Sequence, residues 1–477
     1  MRALTPCLHI TLTILVLMSI GTAPLLCASE EPSVKELMEG FETKDVETGK
    51  DGKEKKTDEL DSIKGGSEDT SSRFSFDGYL KHGLSYNFAH DRPEPGKTDW
   101  RGLSRFRSEI NLELKVKLSE TWQAQVEGKA YYDFVFAMRG RDEFTGAVLD
   151  NREQDAEFGE SYILGSITDK LDIRFGRQIN VWGKSDNIRV TDILNPLDLR
   201  EPGLVDIEDL RLPVTMTRLD YYLGNWNLSG IFLHEIRFNK VPAFGSDFFP
   251  GESPLPLEDA PSDSLDNTQF AAALSGILSG WDLAFYFADV YNDPPHQEAK
   301  PDGQKMRKHA RLKMFGSAFN MALGNWLLKA EAAYLDGFKF FNAPGGGKSF
   351  SMADALVGFE YTGFHETVIS FEIANRHLFD FRDSLKLAPD KAVEDEFQTA
   401  FRFTREFLND TLTVTFLAQT FGALGGDGAF QRISAEYDLT DSIRLSGGFV
   451  FYTSGDLRQF NDVGDNDRLF LGIRYSF

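Results

Sequence analysis

The stretch RFRSEINLELKVKL, residues 105–118, repeats with a period of two. Phe106, Ile110, Leu112, Leu114, Val116 and Leu118 share one parity with Ser108, while Arg105, Arg107, Glu109, Asn111, Glu113, Lys115 and Lys117 hold the other. An extended chain points successive side chains to opposite faces, so this strand has one greasy face and one wet face. After the turn at SETW, Trp122, Ala124, Val126, Ala130, Tyr132, Phe134 and Phe136 oppose Gln123, Gln125, Glu127, Lys129, Tyr131 and Asp133. The pattern predicts a long hairpin that is apolar on one side throughout.

The same grammar continues to the end and predicts about 18 strands. The first starts near Phe74, the fourth near Ala156, the tenth near Lys305 and the last near Arg468. Short turns (TDK at Thr168, LGN at Leu223 and Leu323, LND at Leu408, LTD at Leu439) follow even-numbered strands, and long Gly/Pro/Asp-rich stretches follow odd ones. That asymmetry predicts an all-β fold, a transmembrane antiparallel barrel over 74–477 with short periplasmic turns and long extracellular loops. A soluble sandwich would have to hide Trp122, Trp281 and Trp326 against a second sheet, and its strands would rarely reach the ten or so residues seen here. In the last strand Leu469, Leu471, Ile473, Tyr475 and Phe477 share one face. A closing strand in lipid suits that face, and the terminal aromatic with Ile473 and Tyr475 before it resembles the carboxy-terminal signal that the barrel-assembly machinery reads.

The amino-terminus carries Arg2, an apolar run from Leu8 to Ile20 and a small residue at Ala28, which predicts a cleaved signal peptide over 1–28. The run is too short to span a bilayer as a helix, which takes roughly 20 residues. The only cysteines, Cys7 and Cys27, lie in or beside that leader, so the exported chain is expected to have no disulfide. Cys27 would be a lipidation point only if the preceding PLL were tolerated. Residues 29–73 are highly charged and read as a periplasmic segment. Within it Val34, Leu37, Met38 and Phe41 have helical spacing, which fits either a stray apolar turn or a short helix that docks on a periplasmic protein partner.

The connection after the fifth strand, residues 176–213, reads as the longest and mixes Ile179, Val181, Trp182, Ile193, Leu194, Leu197 and Leu204 with opposed charges, so it is expected to pack against something. It contains Gly176, Arg177, Gln178, then Trp182, Gly183, Ser185, then Asn195, Pro196 and Asp198. This G-R-Q, W-G, N-P-x-D series resembles an uncharacterised family of large outer-membrane barrels often associated with exporters, the DUF1302-like proteins. The resemblance implies a system that exports lipids or hydrophobic compounds. In general porins the loop after the fifth strand folds into the lumen. Lys184, Asp186, Arg189, Asp192, Arg200 and Glu201 are therefore candidates for a pore constriction that orients a passing solute. The plainer reading of the same charges is a salt-bridged plug. Arg105, Arg107, Glu109, Lys129, Arg174 and Arg218 are expected to face the lumen.

Catalysis has little support. The eight histidines are scattered, His234 and Glu235 point to opposite faces of a strand, and there is no phosphate-binding glycine loop or serine elbow. No catalytic residue, cofactor or metal site is expected. A net charge of −23, from 74 acidic and 51 basic residues, argues against nucleic acid. The expected partners are outer-membrane lipid and the barrel-assembly machinery, in the outer membrane of a Gram-negative bacterium. Two functions fit: a channel or transport duct, or an occluded barrel acting as an anchor or platform for a periplasmic export system.

Overall fold

The computed structural model describes residues 73–205, 207–343 and 348–477, without the side chains of 207 and 208. The leader, the charged segment to residue 72 and its Val34, Leu37, Met38 and Phe41 lie outside the described residues.

Eighteen antiparallel staves close into one barrel. They are β1 (Phe74–Asn87), β2 (Gly102–Lys117), β3 (Trp122–Asp133), β4 in two pieces (Gln154–Phe158 and Ser161–Thr168), β5 (Leu171–Gln178), β6 (Val214–Leu223), β7 (Trp226–Leu233), β8 (Gln269–Leu278) and β9 (Trp281–Tyr291). The second half comprises β10 (Arg311–Leu323), β11 (Trp326–Phe338), β12 (Phe350–Phe364), β13 (Thr367–Leu378), β14 (Asp395–Phe407), β15 (Leu412–Phe421), β16 (Gly428–Thr440), β17 (Ile443–Thr453) and β18 (Arg468–Ser476). Each pairs with its neighbour in sequence, and β18 returns to β1 in register from Tyr79↔Ser476 to Asn87↔Arg468. Phe477 extends this seam, exchanging two backbone hydrogen bonds of 2.9 and 3.0 Å with Gly78. Closure leaves no long unpaired edge between first and last strands, which is what a barrel in lipid requires.

The outward parity is apolar. Phe106, Ile110, Leu112 and Leu114 on β2, Phe285 on β9, Phe315 on β10 and Ile473 on β18 are all exposed. Aromatic rings collect where strands meet the short turns: Trp326 lies 4.5 Å from Tyr361, Trp281 lies 6.0 Å from Phe319, and Tyr475 lies 5.9 Å from Phe477. Aromatic girdles occupy this level in outer-membrane barrels, because such rings favour the boundary between lipid and water.

Four details differ from the sequence reading. Lys305–Lys308 is not the start of β10: it joins His296–Ala299 and Glu258–Asp259 in a separate small sheet of the long-loop side, and β10 begins at Arg311. Phe136 is not on an outward strand face. β3 stops at Asp133, whose carboxylate accepts from the amides of Phe106 and Val135, and the chain turns into a helix, Val135–Arg139, with Phe136 fully buried. The connection 234–268 is as long as 179–213. The inner wall is also not wet all round. From β6 to β14 it presents Val214, Met216, Ile231, Ala271, Ala284, Ala288, Met314, Ala318, Leu356, Ala374 and Ala400, all buried, because something apolar covers them.

Candidate functional site: the luminal loop and its cavity

What covers that wall is loop 179–213. Trp182, Ile188, Val190 and Leu194 bury against it as one cluster, and burial of such side chains contributes roughly 1.5–3 kcal/mol each. The Trp182 indole stacks on Tyr286 of β9 at 4.7 Å. The loop's polar backbone also needs partners, and two wall carboxylates supply them. Glu331 on β11 accepts from the amides of Lys184 (2.5 Å), Ser185 (2.8 Å) and Thr191 (3.2 Å) and from the Thr191 hydroxyl (2.8 Å). Glu372 on β13 accepts from the Ser185 hydroxyl and from the amides of Asp186, Asn187 and Ile188, at 2.8–3.2 Å. Both carboxylates are almost fully buried. A buried carboxylate so supplied with donors fixes the segment it touches.

The glycine, asparagine and tryptophan of the motif have physical jobs in this arrangement. Gly183 has φ +90°, and a Cβ there would lie 2.6 Å from Glu331 Oε1, so only glycine lets the loop pass the wall carboxylate. Asn195, wholly buried, accepts from the Asn180 amide at 2.7 Å and donates to the carbonyls of Gln178 and Leu212, tying the loop's two ends together. Arg177 closes the base by donating to the Pro213 carbonyl and to Glu235. Gln178 donates to the Met216 carbonyl across the β5–β6 ladder.

The second half of the loop swings to the other wall. Glu201 pairs with Arg105 (3.6 Å) and Arg107 (3.0 Å) on β2 and with Arg152 (2.6 Å) in the connection 134–153. Arg152 also binds Asp247 (2.6 Å), which binds Arg468 at the start of β18 (3.0 Å). Three long connections and two strands thus meet in one buried ionic cluster. Burial alone would raise the Glu201 carboxyl, but Arg152, Arg107 and Arg105 outweigh it and hold it well below the usual range. Asp247 is held low by Arg152 and Arg468 against the same penalty. Beneath the cluster, toward the short-turn end, lies a cavity of about 860 Å³. Basic Lys81, Arg105, Arg107, Lys129, Arg200 and Arg474 line it alongside acidic Asp77, Glu109, Glu113, Glu127, Asp155 and Glu157.

The family model described as "Protein of unknown function (DUF1302)" matches residues 60–477. The chain belongs to the DUF1302 family. No curated protein matches it in sequence. Among solved structures it is similar to OccK9 (OpdG) of Pseudomonas aeruginosa, with 12% identity and TM-score 0.53, and to OccAB2 of Acinetobacter baumannii, with 10% identity and TM-score 0.51. Each alignment covers 85% of this chain and 98% of the other. The outer membrane protein OpdK of Pseudomonas aeruginosa aligns over the same shares at 9% identity and TM-score 0.48. The likeness is one of fold, that of the outer-membrane porin barrels.

In this DUF1302 barrel the six expected constriction residues divide between two places. Arg200 and Glu201 line the cavity. Lys184, Asp186, Arg189 and Asp192 lie on the far side of the loop, each in an ion pair: Lys184 with Asp282 (3.3 Å), Asp186 with Lys329, and Asp192 with both Arg189 (3.2 Å) and Arg211 (2.9 Å). Of the expected lumen residues, Arg105, Arg107, Glu109 and Lys129 line the cavity. Arg218 reaches Asn180 of the loop at 3.0 Å, and the Arg174 guanidinium sits 4.7 Å from the Tyr162 ring. Ile473, Tyr475 and Phe477 are exposed on the outer face of the closing strand. Among the described residues no cluster of His, Cys, Asp and Glu could hold a metal. Sequence reasoning placed Glu372 on the lumen side without a role, and it missed Glu331, an acid that resembles any other wet position, together with Arg152 and Asp247, which lie in connections read as external.

Proposed function

We propose that this protein is an outer-membrane channel or transport duct for small solutes or hydrophobic compounds, with passage controlled by loop 179–213. The observation that carries the reading is the division of the lumen: the loop seals one wall by apolar packing, and beside it remains a large cavity with both signs of charge on its walls. A cavity of that size is in the range that holds a small organic molecule, and fixed charges of both signs orient a dipolar one. The short turns face the periplasm in this reading, so the cavity opens on the side from which an exported substrate arrives.

Planar-bilayer recording tests it. Shortening the loop between Ser185 and Val205 should raise conductance several-fold, and Arg200→Glu should shift selectivity toward cations. Unchanged conductance and selectivity in folded variants would remove the loop from the path. The occluded barrel, an anchor or platform for a periplasmic export system, is favoured by one observation of its own, the largely buried ionic cluster that ties three connections across the lumen. A barrel that inserts correctly and never conducts, even with the loop shortened, is what that second reading requires.

A further inference from the structure

The barrel wall has a weak place beside the cavity. β5 and β7 have eight residues each, against sixteen in β2. At about 3.3 Å per residue and a tilt near 40°, eight residues climb roughly 20 Å, short of an apolar band about 25 Å tall. Above them stands the first piece of β4, Gln154–Phe158, which pairs with β3 on one edge. Among the described residues no strand pairs with its other edge. Segment 237–241 lies there instead, but its backbone bonds to the luminal loop: the Lys240 amide donates to the Leu197 carbonyl, and the Leu199 amide to the Lys240 carbonyl. It meets the wall by side chains, Lys240 to Asp155 (2.7 Å) and Glu157 (3.1 Å), and Arg237 to Glu157. Asp155 and Glu157 are also cavity residues. Phe158, which follows Glu157 on the outward parity of its strand, is 62% exposed, and Val241, which follows Lys240, is 43% exposed.

We propose that this seam is a lateral portal through which an amphiphile of phospholipid type passes between the outer part of the bilayer and the cavity. Everywhere else a continuous ladder of backbone hydrogen bonds separates lumen from lipid, and opening it would strand polar backbone in hydrocarbon. Here only side-chain contacts must part, the ion pairs and one hydrogen bond from the Asn151 amide group to the Val241 carbonyl, and a charged head group with both signs available to it in the cavity can replace the ion pairs. An apolar rim outside and charges inside match a molecule with alkyl chains at one end and a charged head at the other. The inference deepens the duct reading and rests on it for the direction of traffic, but its test does not need conductance.

The full chain, with its cysteines at 7 and 27 replaced, would carry Asp155→Cys and Lys240→Cys together with a photoreactive benzoylphenylalanine at Ile179, which lines the cavity. The barrel would be reconstituted in vesicles of radiolabelled phosphatidylethanolamine. With the pair reduced, light should attach lipid at residue 179; oxidation to the disulfide should abolish the labelling and reduction should restore it. Lys240→Glu, which sets like charges against Asp155 and Glu157, should raise labelling above the otherwise unaltered chain. The same photoprobe at Phe158 should label in every state and confirms insertion. Labelling at 179 that survives oxidation would mean that lipid arrives by the aqueous mouth, and absence of labelling in both states, with Phe158 still labelled, would mean that the wall is sealed. Either result overturns the portal, whether or not the barrel conducts.

Discussion

Glu372 shows how much of this barrel rests on single side chains. It accepts from four donors of the luminal loop, and each such bond to a buried charge contributes roughly 1.5–3 kcal/mol. Glu372→Ala should therefore cost about 3 kcal/mol locally and raise hydrogen exchange of amides 186–188 about a hundredfold, while β1–β3 stay protected; equal protection in wild type and variant would mean that the loop is held by packing alone. Asp293, in the connection after β9, adds a pH dependence. Its Oδ1 is out of water's reach without a hydrogen-bond partner, and burial pushes its pKa up to about 7 despite nearby Arg189. Between about pH 4 and 7 the folded state then holds a proton that the unfolded chain has lost, so stability from this group is fully present below that window and falls as pH rises through it. Glu201 and Asp247, held low, act in the opposite sense and at lower pH. Melting in detergent should show wild type losing stability relative to Asp293→Asn from about pH 4.5 to about 7.5; parallel curves would contradict the assignment. None of these roles was legible in sequence, because the bonds from the loop to Glu331 and Glu372 span 140 to 187 residues.

Among elements, the staves were legible and their inner surface was not. Lipid requires an apolar outward face on every strand, so alternation and turn length mark strands even where the inward face varies. The inward face answers to whatever lies inside. In β8 and β9, FAAALSGIL and WDLAFYFADVY are apolar on both parities, and a side chain that touches lipid looks the same in sequence as one that touches a luminal loop. The GRQ, WG and NP motif marked the loop itself, since it places glycine, asparagine and tryptophan where an external loop would not need them. The closing strand carries its own prediction. Phe477 makes both backbone bonds to Gly78, and its ring lies 6.2 Å from Phe76, so deletion of residues 475–477 opens the last rungs of the β18–β1 seam as well as removing the terminal aromatic. Heat-modifiable folded barrel in outer membranes should fall to a small fraction of the wild-type amount, and normal amounts would show that neither closure nor recognition depends on these residues.

The whole molecule has an apolar belt outside, two inner walls of different character, and one loop that touches both. Its first half lies on the alanine-rich wall under Glu331 and Glu372, and its second half is drawn to the arginines of β2 by Glu201, which leaves the cavity between. The most direct test is whether the loop is inside and fixed to the opposite wall. Asp186→Cys and Lys329→Cys replace an ion pair between the loop and β11. In the otherwise cysteine-free chain, assembled in native outer membranes, the two thiols should oxidise to a disulfide in intact barrels and resist a bulky membrane-impermeant maleimide before oxidation. Ready labelling of the thiol at position 186 from outside, with no disulfide formed in a barrel that is otherwise folded, would place the loop in the external solvent and contradict a loop fixed inside the barrel.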